Sequence, residues 1–304
     1  MFELEPYFFV YMLLFGWVSA QETAPDVQVI PVYEGQLAFI EALQANPELS
    51  LIEKTERYQE LALAPYMDDC AARDEKAYLQ SNSGYEVTEL ETWKTAIEEL
   101  AAADIAGAVE AGVAKSASLL SADPMTFCVF ALHPSNNDDQ LKRLGGVTGE
   151  IVAGDLAYLR AYPIEGWLDG VAPTVAHEYH HAAWLQRFPN GLEDFSLTDY
   201  LVFEGRAGIF EKLAYPERGA PWGDALTSDE QREQWDAIQP HLETRNLGFQ
   251  QQIMFGSERY PTWTGYTIGF NIVQAFLEKH PDMTVEAWTE LDAQELLERS
   301  GYAP

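Results

Sequence analysis

Basic side chains are scarce in this chain. Its 304 residues carry 18 Lys and Arg against 49 Asp and Glu, a formal net charge of −31. Such a chain repels phosphate backbones and anionic lipid surfaces, which argues against nucleic-acid binding. A solvated surface suited to a salty or extracellular setting accounts for the acidity. Cysteine is scarcer still: Cys70 and Cys128 are the only two, and neither has the Cys-x-x-Cys spacing of a redox or zinc motif. They either pair in an oxidising compartment or remain two buried thiols. A phosphate-binding loop is missing too, because Gly145, Gly146 and Gly149 lack its spacing and no Lys-Ser or Lys-Thr follows them. There is no internal repeat and no long low-complexity linker. The apolar run over residues 7–18 is short for a bilayer span.

That run is followed by Val18-Ser19-Ala20 and then Gln21-Glu22, small residues where a signal peptidase would cut. We read residues 1–20 as a cleavable signal peptide, which predicts a secreted or periplasmic protein with no stable membrane insertion after cleavage. Glu3 and Glu5 stand where basic residues are usual, so an uncleaved anchor is the alternative. With 47% hydrophobic residues the remainder is globular. Residues 21–34 read as an extended lead-in. From Gly35 to about Leu120, apolar residues at three- and four-residue spacings (Leu37, Ile40 and Leu43; Leu90, Trp93, Ile97 and Leu100) predict helices. The helical N-terminal region, 21–120, carries no visible chemistry and is either a lid or a packing layer. Residues 125–132 and 150–154 read as strands between breakers. Pro173 opens a helix that Pro189 stops, and a second runs from Ser196, spaced for a capping box with Asp199, to about Ala214. Further helices are predicted over 228–243, 266–279 and 293–300. The expected fold is α+β and mostly helical, with a small sheet and a catalytic region over 121–304.

The chemistry lies in His177-Glu178-Tyr179-His180-His181, a His-Glu-x-x-His inside a predicted helix. Four residues advance a helix by just over one turn, so His177 and His181 share a face and can hold one metal ion. Two neutral imidazoles leave zinc Lewis-acidic, and Glu178 can accept a proton from zinc-bound water. His180 reads as a neighbour, not a ligand. A catalytic zinc needs a third protein ligand, and no Gly-x-x-His follows His181, which argues against the metzincin pattern. Glu204 sits instead in an otherwise apolar helix where an unpaired charge is costly, and metal ligation explains it better than exposure. Gly205 and Gly208 would let that helix approach the histidine helix. Glu211 either supports a ligand, replaces one, or pairs with Arg206 or Lys212. A phenol or imidazole is the usual further donor to an oxyanion. Tyr266 is the candidate, with a core aromatic role as its alternative; His241 and His280 are weaker.

The succession of His-Glu-Tyr-His-His, a downstream Glu204-Gly205-x-Ala207 helix and Tyr260-Pro261-x-Trp263-x-Gly265-Tyr266-x-x-Gly269 resembles the predicted zinc-dependent proteases of gluzincin type. The likeness covers roughly residues 120–277 and implies a gluzincin-like core with one zinc ion and Glu204 as third ligand. The expectation is thus a zinc hydrolase acting on a peptide or protein substrate, with Glu178 and Tyr266 as catalytic residues. The alternatives are a non-catalytic zinc- or partner-binding secreted module and a non-peptide amidase sharing the same site.

Overall fold

The computed structural model describes residues 26–71, 74–82, 87–218 and 221–304. The proposed signal peptide lies outside them. The chain opens with strand β1 (Val27–Pro31) and helices α1 (Val32–Ala45), α2 (Leu51–Tyr58), α3 (Met67–Cys70), α4 (Glu75–Asn82), α5 (Leu90–Ala102) and α6 (Ile105–Ala117). Strand β2 (Met125–Ala131), the short helix α7 (Asp139–Arg143) and strands β3 (Val147–Ala153) and β4 (Leu156–Ala161) follow. The rest is helical: α8 (Leu168–Arg187), α9 (Leu197–Ala214), α10 (Ser228–Ile238), α11 (Leu247–Phe255), α12 (Thr264–Lys279), α13 (Val285–Glu290) and α14 (Ala293–Ser300).

The strands form one sheet in the order β1-β2-β4-β3, parallel except for β3, which runs antiparallel to β4. The mostly helical α+β expectation therefore holds, and the lead-in supplies an edge strand. The parallel strands are short apolar runs, as burial on both faces requires. Where the β1–β2 pairing ends, Gln36 of α1 takes over: its amide accepts from the Ala131 N–H at 2.8 Å and donates to the Ala131 carbonyl at 3.1 Å.

Register determines what lies on each face of the sheet. Cys128 pairs with Tyr158, and both face the N-terminal helices, where Cys128 is disulfide-bonded to Cys70 and the Tyr158 hydroxyl donates to the Cys70 carbonyl at 2.7 Å. Gly149 and its partner Leu159 face the other way, and Gly149 lies against Glu178 of α8. Helix α8 packs between β3, α6 and α9, and α9 is packed in turn by α12 and α14. Both central helices are buried nearly all round, so neither shows a simple amphipathic stripe.

Several boundaries differ from expectation. Helix α8 begins at Leu168, and Pro173 sits inside it. There its ring costs one hydrogen bond near the helix start, a loss the packing around α8 absorbs. The alanine-rich stretch over 99–117 is two helices, broken where Asp104 caps the second by accepting from the Gly107 N–H. Helix α10 stops at Ile238 because Pro240 lies two residues on. Ser196 and Asp199 form the full capping box. No helix among the described residues is long and apolar enough to cross a membrane.

The Cys70–Cys128 bridge spans 58 residues, for which loop entropy gives a stabilisation of about 4 kcal/mol. Replacing both cysteines by Ala is expected to lower the unfolding free energy by roughly that amount. Urea titration checks this, and an unchanged midpoint would refute it.

Candidate metal centre

His177 and His181 rise one turn apart on α8, and Glu204 lies midway along α9, which packs alongside. Their ligating atoms converge. Glu204 Oε2 is 3.2 Å from His177 Nε2 and 3.3 Å from His181 Nε2, and the two nitrogens are 3.1 Å apart. Four-coordinate zinc at bonds of about 2.0–2.1 Å places neighbouring ligand atoms about 3.3 Å apart along a tetrahedral edge. The three observed spacings match that edge. Two imidazole nitrogens and one carboxylate oxygen are a donor set that zinc accepts with a position to spare for water. All three residues are buried, and they are the group among the described residues that could hold a metal ion.

Glu211, seven residues after Glu204 on the same face, lies with Oε2 3.5 Å from His177 Nδ1. The separation suits charge pairing although a hydrogen bond is not formed. Glu211 thus faces His177 and neither Arg206, which donates to the Leu291 carbonyl, nor Lys212, which reaches Gln274. A carboxylate on Nδ1 leaves Nε2 free to ligate. His180 points away from the centre, 3.2 Å from the Thr289 hydroxyl and stacked on Trp288. His241 and His280 pack against Phe249 and Phe276 and do not line the cleft.

With protein groups alone counted, burial pushes His177 down, but hydrogen bonding to Glu204 and the pull of Glu211 outweigh it and raise its pKa. Burial likewise pushes Glu204 up, and His181 and His177 outweigh it and hold it down. His181 is lowered, chiefly by burial. Burial raises Glu178 to about 8; His177 opposes this, and Glu204, Glu150 and Glu211 add to it. The Glu178 carboxylate occupies the space that a side chain at Gly149 would fill, so that glycine in β3 makes room for it.

These residues line a cavity of about 660 Å³. Tyr266 lines it too, one turn into α12, with a phenol raised far above its ordinary value by burial, Glu204, Tyr200 and Glu178 in that order, so it stays a proton donor. Helix α12 starts from Trp263 in left-handed backbone conformation (φ 65°), and the Arg143 guanidinium sits 4.5 Å from that indole ring. None of the described residues of 26–120 lines the cavity. Gly205 and Gly208 turn toward α12 and Trp222 instead of the histidine helix. One residue turns a helix by about 100°, so Gly205 cannot share the face of Glu204. The backbones of α9 and α12 meet where Gly205 faces Gly269.

Sequence reasoning missed Tyr200 and Trp222. Tyr200 precedes Glu204 by four residues and so shares its face, a signal that was readable. Trp222 packs edge-on at 5.1 Å against His177 from a loop with no motif.

A family model described as "Predicted Zn-dependent protease (DUF2268)" matches residues 105–298, a span containing every residue of this centre. Two proteins of Bacillus subtilis (strain 168) are similar to part of the chain. "Uncharacterized protein YjfC" is 26% identical over 145 residues, 44% of this chain and 48% of that protein. "Uncharacterized protein YjaZ" is 30% identical over 132 residues, 40% of this chain and 50% of that protein. The chain thus matches about half the length of these curated relatives. No solved structure matches.

Supporting carboxylates of this kind are worth about 10–100-fold in metal affinity. Glu211→Gln is therefore expected to weaken zinc binding by about that factor, measured by competition with a chromophoric chelator; parent-like affinity would remove Glu211 from the centre.

Proposed function

Because the chain belongs to the family of predicted Zn-dependent proteases, we propose that it is a gluzincin-type zinc peptidase in which His177, His181 and Glu204 hold one zinc ion. The observation that carries this reading is the tetrahedral-edge spacing of the three ligand atoms, with Glu178 lining the same cavity. A bound zinc ion supplies Lewis acidity toward a carbonyl oxygen, acidifies a water and adds positive charge that lowers the Glu178 pKa.

Glu178 is the general base. Its carboxylate takes the proton of the attacking water and then delivers it to the departing amine, a task suited to a group whose burial and neighbours place it near neutrality. Tyr266 donates its phenolic proton in a hydrogen bond to the oxygen on which charge develops. Glu211 holds the His177 ring so that Nε2 faces the cavity.

Strand β3 supports a peptide over other amides. It ends the sheet, and Val147, Thr148, Gly149, Glu150 and Ile151 all line the cavity. As the end strand of the sheet, β3 has an edge whose unpaired backbone groups can take an extended peptide. The Cys70–Cys128 bridge supports a secreted or periplasmic setting, where disulfides persist.

The test is elemental analysis combined with a peptide-library assay. About one zinc per chain is expected, lost in Glu204→Ala and kept in Glu178→Gln, whose turnover falls about 10²–10⁴-fold. Tyr266→Phe is expected to keep zinc and lose about 10²–10³-fold in kcat, with KM little changed. Activity that survives Glu178→Gln would discard the mechanism.

A further inference from the structure

The floor and the rim of the cleft differ in what they leave uncovered. The aromatic rings nearest the metal group are packed away: Trp222 beside His177 is 9% exposed and Phe203 beside His181 is 5% exposed. The Phe203 ring stacks on the His181 imidazole at 3.9 Å and 17°. Phe203 packs edge-on against Phe195, the Phe255 ring lies 5.9 Å from that of Tyr266, and the rim of the same cavity carries Leu192, Leu247 and Phe255. Those last three are 46%, 60% and 46% exposed. Nine large hydrophobic side chains are exposed among the described residues, and three of the nine meet in this one cavity. Scattered surface leucines are ordinary, but three exposed large apolar side chains at the mouth of the cavity that holds the metal group are not.

Charge points the same way. Gln250 and Gln251, which line the same cavity, are neutral. Among the described residues the cations lining the cavity are Arg160, paired with Glu150, and Arg218, which donates to the Leu144 carbonyl. An anionic substrate side chain resting on this uncharged rim would lose hydration without gaining a charge partner there.

We propose that Leu192, Leu247 and Phe255 form the wall of a specificity pocket for a bulky apolar, preferably aromatic, side chain on the substrate residue next to the cleaved bond. The occupant is placed by continuity: the Phe255 ring lies 5.9 Å from that of Tyr266, which lines the cavity together with the metal ligands, so a side chain resting on this wall belongs to a residue whose backbone lies near the metal. Leu192, Leu247 and Phe255 gain cover from water when it binds, and Phe255 provides a ring against which an aromatic group can pack.

This inference rests on the zinc-peptidase reading, and the experiment separates the two. The zinc-loaded full chain is titrated with N-acetyl hydroxamates of phenylalanine, glycine and aspartate, which share one chelating group and differ in side chain. The same preparation is used to map cleavage positions in a peptide library by mass spectrometry. The phenylalanine compound is expected to bind about 10–100-fold more tightly than the glycine compound, with aspartate weakest, and apolar residues to be enriched beside the cleaved bond. In the Leu247→Lys/Phe255→Lys variant, whose changes lie at exposed rim positions, the phenylalanine preference should collapse and the aspartate compound should gain. The phenylalanine preference without cleavage of any peptide would uphold the pocket and remove the peptidase. Cleavage without apolar enrichment, equal binding of the three hydroxamates, or a preference unchanged in the variant would overturn the pocket.

Discussion

Three carboxylates and two imidazoles are buried together between α8 and α9, and the rest of the molecule is built around holding them there. Glu178, Glu204 and Glu211 are each less than a tenth exposed. Burial of a charge costs several kcal/mol even after relaxation, against a net stability of about 5–15 kcal/mol for a whole domain. Such a cluster persists only where its members compensate one another. Glu204 does so by lying within 3.3 Å of both imidazoles, Glu211 by facing the outer nitrogen of His177, and Glu178 by being able to carry a proton near neutrality.

Close backbone approach makes the cluster possible. Gly149 lets the end strand lie against the Glu178 carboxylate, so the base is set between the helix and the edge that a peptide would follow. Gly205 and Gly269 bring the backbones of α9 and α12 together, which places Tyr266 in the same cavity as Glu204. The pivot between these helices is steric, and a single methyl group at Gly269 would meet the Leu201 carbonyl. Pro173 illustrates the same priority: a helix packed on every side keeps its path through a residue that would interrupt an exposed one. The exposed rim of the cleft at Leu192, Leu247 and Phe255, by contrast, is apolar.

Much of the candidate site was legible because its order along the chain is local. The His-Glu-x-x-His spacing puts two imidazoles and a carboxylate on neighbouring positions of one helix, and helical geometry does the rest. A charged residue in the apolar stretch Leu201-Val202-Phe203-Glu204 is conspicuous for an energetic reason that needs no structure. Helix limits such as the Ser196–Asp199 box that starts α9 and the end of α14 at Ser300, where Gly301 takes up left-handed backbone, were equally readable.

What the sequence determined by itself, then, is the set of groups whose relation is intra-helical: His177, Glu178 and His181 on one helix, and Glu204 with Glu211 on another. Tertiary structure decided everything that depends on which helix faces which. It directed Gly205 to α12 instead of α8, turned Glu211 to His177 and not to Lys212, paired Cys70 with Cys128 across 58 residues, and ran the cleft along β3. The reason is that α8 and α9 are buried all round, so their composition carries no periodic mark of facing. Only the packing of the whole chain selects one rotation from the several that such helices would allow.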